Sequence, residues 1–80
     1  MPYCVYILKS EQNGRYYVGQ TADLATRIKM HNRGRIKSTK GYCPWTLVHY
    51  ESFASRKKAV KREREIKSYK NRVYIESLLR

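Results

Sequence analysis

Residues Tyr3 to Leu8 (YCVYIL) are apolar at every position and rich in β-branched and aromatic types. A strand without polar alternation is covered on both faces, so it belongs at the centre of a sheet with further structure above and below. A chain of 80 residues has room for one such sheet in one domain with a small core. The remaining sequence must supply two neighbours for this strand and a cover for each side.

It does so in order. Lys9 to Gly14 carries turn chemistry, Asn13-Gly14 being a strong hairpin signal, and Arg15 to Gln20 (RYYVGQ) is the return strand. Asp23 is placed to cap a helix from Leu24 to about Arg33, with Gly34 as its stop. Pro44 to Phe53 reads as a third strand, with Trp45, Leu47 and His49 expected on one face and Thr46, Val48 and Tyr50 on the other. Ser55 caps a second helix running to about Tyr69, and Asn71 breaks or caps before a last helix, Val73 to Leu79, whose Ile75, Leu78 and Leu79 are expected to close the core. The fold class is therefore α+β: a small three-stranded antiparallel sheet flanked by helices, in the order β-β-α-β-α-α.

Lys and Arg total 18 against 6 Asp and Glu, a net charge of +12 that cannot be paired internally in so small a domain. Such a field attracts polyanions, so nucleic acid is the leading partner class and an anionic membrane surface the second. Half of the positive charges fall between Arg56 and Arg72, which marks a basic face on the second helix. With 41% apolar residues the chain is expected to fold despite this charge. Cys4 and Cys43 match no zinc spacing and are read as reduced thiols. The N-terminus shows no secretory signal and no segment has the length of a membrane span, so a cytoplasmic location is expected.

Register gives the first functional inference. In a hairpin closed by an even-numbered loop, paired residue numbers sum to an odd value, which puts Tyr6, Tyr17 and Gly19 on one side. A two-residue loop at Glu11-Gln12 sets Tyr6 opposite Tyr17; one at Asn13-Gly14 offsets them on the same face. Gly19 beside Tyr17 marks a site where a ligand or another backbone comes close. Arg27 and His31 lie one turn apart on the first helix and stack on its surface. Gly34 to Gly41 (GRIKSTKG) reads as a mobile basic loop able to touch a phosphate backbone through Lys37 and Lys40. On the second helix Ala59, Glu63 and Ile66 share a face, so a carboxylate interrupts the core stripe and needs a partner or a cation. A salt bridge to a nearby lysine or arginine is the alternative for Glu63, whereas Glu65 reads as a surface residue.

These residues resemble the GIY-YIG nuclease domain: Cys4-Val5-Tyr6 stands at the first motif, Tyr17-Val18-Gly19 at the second, then Arg27 and His31 on the following helix, and Ala59 with Glu63 in an Ala-x-x-x-Glu pattern. The resemblance covers nearly the whole chain and is greatest to small stand-alone members. Cys4 replaces the first Gly of the family's name, at a strand position rather than a reacting one. Asn71 is matched to an Asn that follows the family's glutamate, at a shorter spacing.

The resemblance implies hydrolysis of a nucleic-acid phosphodiester, DNA more than RNA, with one divalent ion, Mg²⁺ or Mn²⁺, on Glu63. Two-metal nucleases need clustered carboxylates, and the few acids here are scattered. Tyr6 or Tyr17 is expected to activate water, its phenolate favoured by Arg27, the metal and the surrounding lysines, while the other tyrosine orients the phosphate. Arg27 then stabilises transition-state charge and His31 accepts or relays a proton. Two other readings stand on the same residues: a nucleic-acid-binding module that does not cut, and a protein-interaction or ribosome-associated protein. Metal-dependent nicking separates the first of these; the second predicts binding insensitive to salt, where contacts to B-DNA weaken with a slope of about −0.9 per phosphate neutralised. A protein partner for targeting is also expected, because the chain has no separate targeting domain.

Overall fold

The computed structural model describes residues 2–69 and 71–79. The elements run β1 (Tyr3–Ser10), β2 (Tyr16–Thr21), α1 (Leu24–Asn32), a short 3-10 turn (Lys40–Tyr42), β3 (Trp45–Phe53), α2 (Arg56–Ser68) and α3 (Arg72–Leu78). The sheet is antiparallel in the order β2-β1-β3, so the all-apolar strand is the central one. Val5, Tyr6, Ile7 and Leu8 are all fully buried. Alternation sends them to two cores. Val5 and Ile7 pack with Val18, Ala59 and Ile66 under α2 and α3; Tyr6 and Leu8 pack with Trp45 under Leu24 and Ile28 of α1. Each such apolar side chain taken from water contributes roughly 1.5–3 kcal/mol, and deleting β1's pattern would remove both cores together.

The helices begin where capping chemistry allows. Asp23 accepts from the Thr26 N–H at 3.2 Å, Ser55 from that of Lys58 at 3.3 Å and Asn71 from that of Val73 at 2.8 Å. Gly34, at φ +71°, closes α1 in a conformation that disfavours a side chain. In the last helix Tyr74, Ile75 and Leu78 reach the core, while Leu79 is its C-cap and lies outside that cluster. Among the described residues no helix is long and apolar enough to cross a membrane, and both cysteines are free thiols.

Three local expectations are revised. The β1–β2 loop is neither two-residue turn: the Ser10 N–H donates to Arg15 O at 2.8 Å and the Gly14 N–H to Ser10 O at 2.9 Å, leaving Glu11 to Gly14 as a four-residue loop. Ser10 Oγ accepts from the Gln12 and Asn13 N–H groups inside it, which favours the wider turn. Pairing therefore sets Tyr6 against Gly19 and Leu8 against Tyr17, with the common face kept. In β3, Ile7 faces His49 but Leu8 faces Leu47, so Val48 is an extra residue, a β-bulge. The bulge flips the remainder of the strand: His49 lies on the α2 side, bonded to Glu51 at 2.8 Å, and Tyr50 joins the face of Leu47. The segment 34–41, expected to be mobile, is wound on itself, Thr39 and Lys40 N–H groups both donating to Ile36 O at 3.0 Å, and Thr39 is fully buried.

Candidate active site

Gly19 decides where Tyr6 can go. A Cβ at Gly19 would stand 2.6 Å from the Tyr6 hydroxyl and 2.7 Å from the ring carbon that carries it. The tyrosine thus lies across the glycine, and its hydroxyl is carried from the central strand to β2, which is an edge strand. There it meets His31 Nε2 at 2.9 Å. The Tyr17 ring stands edge-on to His31, with centroids 4.9 Å apart, and 6.3 Å from the Tyr6 ring. Tyr6 and His31 are wholly enclosed and Tyr17 is half-buried.

Arg27, one turn before His31, faces the same hydroxyl. Its charge and hydrogen-bonding act on Tyr6, and its charge also acts on His31. Arg27 Nε is buried yet has no hydrogen-bond partner; among the described residues the one other such side-chain atom is Gln20 Oε1. A buried guanidinium N–H without an acceptor is costly, and an anion would satisfy it.

The proton affinities bear on the expected phenolate at Tyr6. Burial raises the Tyr6 pKa above its ordinary value of 10.0, outweighing the hydrogen bond from Arg27, with the Tyr17 and Glu63 charges adding to the rise. Tyr6 is therefore a neutral phenol in the free protein rather than a favoured phenolate, because the enclosure by Gly19, Tyr17 and His31 costs more than one cation returns. Burial, helped by Arg27, lowers the His31 pKa to about 4, so its imidazole is neutral near pH 7.

Glu63 arrives from the other side. Helix α2 covers the Val5 and Ile7 face, opposite Tyr6, yet the Glu63 carboxylate lies within electrostatic reach of the Tyr6 hydroxyl. α1 and α2 pack on opposite faces of the sheet, and their side chains approach each other at β2, where His31 of α1 stands against Tyr17. Glu63 is half-buried and accepts from Lys67 Nζ, one turn on, at 2.6 Å, the salt bridge that its sequence position left open. Glu65 is exposed and pairs with Arg62.

A groove of about 450 Å³ runs from this edge between β2 and the two C-terminal helices, lined by Arg15, Tyr16, Tyr17, Lys67, Asn71 and Arg72 among others. Asn71 borders it while capping α3. Lys37 and Lys40 are exposed on the turn after α1, and neither hydrogen-bonds to a site residue. Two participants were not read from the sequence. Lys67 had a signal, its position four residues after Glu63; Thr39, bonded to His31 Nδ1 at 2.8 Å, had none.

Among the described residues no three His, Cys, Asp or Glu side chains gather as a metal cage. A lone half-buried carboxylate, with the unpaired acceptor of Gln20 on the α2 side of β2, suits a largely hydrated Mg²⁺ or Mn²⁺ and not a dehydrated ion. Glu63 would hold it, giving up Lys67.

This geometry defines the class. The model of the GIY-YIG catalytic domain matches residues 2–75, and the chain belongs to that family of endonucleases, which generally use divalent metal ions. Within the family it is similar to UPF0213 proteins: one from Haloquadratum walsbyi is 44% identical over 66 residues, covering 81% of this chain and 73% of that one. Another, from Staphylococcus haemolyticus, is 42% identical over 66 residues, 81% of this chain and 79% of its own. The solution NMR structure of a UPF0213 protein from Bacillus halodurans superposes with a TM-score of 0.61 at 38% identity, covering 99% of this chain and 83% of that chain. The family implies nucleic-acid binding and a nuclease-like function.

Proposed function

We propose that this protein hydrolyses nucleic-acid phosphodiesters, DNA in preference to RNA, with one divalent ion held at Glu63. The observation that carries the reading is the buried, unpartnered Arg27 Nε beside the Tyr6 hydroxyl. A phosphate oxygen there would receive the missing hydrogen bond, and as charge builds on the phosphorus oxygens the guanidinium stabilises it; loss of such a donor typically costs about a hundredfold or more in rate.

Proton transfer needs two groups because neither is a ready base alone. Placing a proton on a His31 of pKa about 4 costs about 4 kcal/mol at pH 7, and ionising the buried Tyr6 costs at least as much. An incoming phosphate offsets the Arg27 charge, which eases protonation of His31. Tyr6 then takes the proton of the attacking water as it gives its own to His31; the water oxygen bonds to phosphorus, the phosphorus–oxygen bond to the departing sugar breaks, and that oxygen takes a proton from solvent. Tyr17, half-buried at the mouth, orients the phosphate. A divalent ion at Glu63 supplies further stabilisation of the negative charge.

The nucleic acid has a track to follow. Arg56, Lys57, Lys61 and Arg64 surround a shallow groove on the solvent side of α2, and none is in an ion pair among the described residues. Phosphates along it and along the groove at Lys67 and Arg72 position the strand without reading its sequence. A second reading, a nucleic-acid-binding module that does not cut, has an observation of its own: Glu63 is held by Lys67 and Tyr6 is enclosed.

The discriminating experiment is cleavage of end-labelled single- and double-stranded DNA and RNA in Mg²⁺ or Mn²⁺, with EDTA controls. The parent cuts DNA only with metal and Arg27→Ala cuts about a hundredfold more slowly or worse. Metal-independent binding without cutting, or equal rates in parent and variant, overturns the hydrolytic proposal.

A further inference from the structure

We infer that Thr39 is a positioning residue that holds His31 in the Nδ1–H tautomer, with the Nε2 lone pair turned toward Tyr6. The part of this that concerns proton transfer rests on the hydrolytic reading; the tautomer does not. The three side chains form one enclosed chain of hydrogen bonds, Tyr6 hydroxyl to His31 Nε2 at 2.9 Å and His31 Nδ1 to Thr39 Oγ1 at 2.8 Å, all three residues being fully buried. Thr39 Oγ1 also lies 3.4 Å from the Ile36 carbonyl.

Counting protons chooses between the two directions in which the chain can run. In the first, the Tyr6 O–H donates to Nε2, the Nδ1–H donates to Thr39, and the Thr39 O–H donates to Ile36 O. Every proton then has an acceptor. In the second, the Thr39 O–H donates to Nδ1 and the Nε2–H to the Tyr6 oxygen, which leaves the Tyr6 proton to be placed. Tyr17 and Glu63 act on that hydroxyl through charge alone, and the remaining group set against it, the Arg27 guanidinium, can only donate. A buried O–H without an acceptor costs about 1–3 kcal/mol, so the first direction prevails.

Thr39 is itself braced for the task. Its carbonyl accepts from Trp45 Nε1–H at 3.1 Å and from the Tyr42 N–H at 3.1 Å, and its own N–H donates to Ile36 O at 3.0 Å. The hydroxyl therefore meets the imidazole at a set position and keeps Nδ1 protonated. In the opposite tautomer Nε2 carries a proton and has no lone pair to receive that of Tyr6. Trp45, which sequence alone places in the core, thus serves the site through Thr39.

The test is long-range ¹H–¹⁵N NMR of the His31 ring in the full-length protein at pH 7, for the parent, Thr39→Val and Thr39→Ser. The parent shows a pyrrole-like Nδ1 and a pyridine-like Nε2. Thr39→Val, equal in shape but without the hydroxyl, shifts the two nitrogens toward the reverse pattern, and Thr39→Ser restores the parent pattern. In the cleavage assay Thr39→Val loses kcat with KM for DNA unchanged. A parent with Nε2–H, an imidazolium, or a Thr39→Val variant with the parent pattern overturns the assignment. A parent that does not cut overturns the hydrolytic reading and leaves the tautomer to be judged by NMR alone.

Discussion

At the scale of single residues, the site is a problem of space before it is one of charge. Gly19 is required because the Tyr6 ring occupies the volume a side chain would take, so Gly19→Ala is overpacked and should lose about 1–3 kcal/mol in urea denaturation. It should also displace the Tyr6 hydroxyl from His31; a variant as stable as the parent would show that the tyrosine lies elsewhere. His31 carries the pH dependence. Its folded pKa, about 4, is below the unfolded value of 6.5, so the unfolded chain binds more protons between those limits. The neutral imidazole's contribution is fully present above pH 6.5 and is lost as pH falls to about 4, a loss of about 3 kcal/mol. Urea melts at several pH values should show this slope, and His31→Gln should flatten it. Asp23 and Glu51, whose carboxyls are held low by hydrogen bonds from Thr26 and Arg62, lose their contributions only as pH falls below their ordinary values of 3.8 and 4.5. The common face of Tyr6, Tyr17 and Gly19 was legible because parity survives any even loop. The partner of Tyr6 was not, since it depends on loop length, and Ser10 selected four residues.

At the scale of elements, what positions Glu63 is the attachment of α2 to β3. Arg62 donates to both oxygens of Glu51, at 2.8 and 3.1 Å, and also to Tyr74 on α3 at 3.2 Å, and it pairs with Glu65. One guanidinium thus ties three elements behind the sheet. Arg62→Met leaves Glu51 partly enclosed with His49 as its remaining partner and should cost about 1–3 kcal/mol in thermal or urea unfolding. A neutral result would mean that apolar packing alone fixes α2. Little of this network was readable. It needs His49 and Glu51 on the α2 side, and the bulge at Val48 that puts His49 there has no glycine or proline to announce it. The three strands, three helices and their caps were readable, because periodicity and capping chemistry are local. Thr39 was hidden for the opposite reason: it sits in a polar, basic stretch where burial follows only from tertiary packing.

At the scale of the whole molecule, two helices on opposite faces of a three-stranded sheet bring their side chains to the same free edge. The inward stripe Ala59-Glu63-Ile66 foretold that Glu63 would be sheltered, but the side of the sheet is set by the crossover after β3, which no spacing within α2 encodes. An edge site explains how so small a chain can hold a guanidinium, two phenols and a carboxylate together without burying a charge cluster in its core. Mn²⁺ relaxation in ¹⁵N-labelled protein measures that convergence directly. Distances from the relaxation rates should place the ion at Glu63, nearer to Gly19 and Tyr17 on β2 than to Thr46 and Phe53 on β3, with the effect abolished in Glu63→Gln. An ion nearer to β3, or relaxation unchanged in Glu63→Gln, would contradict it.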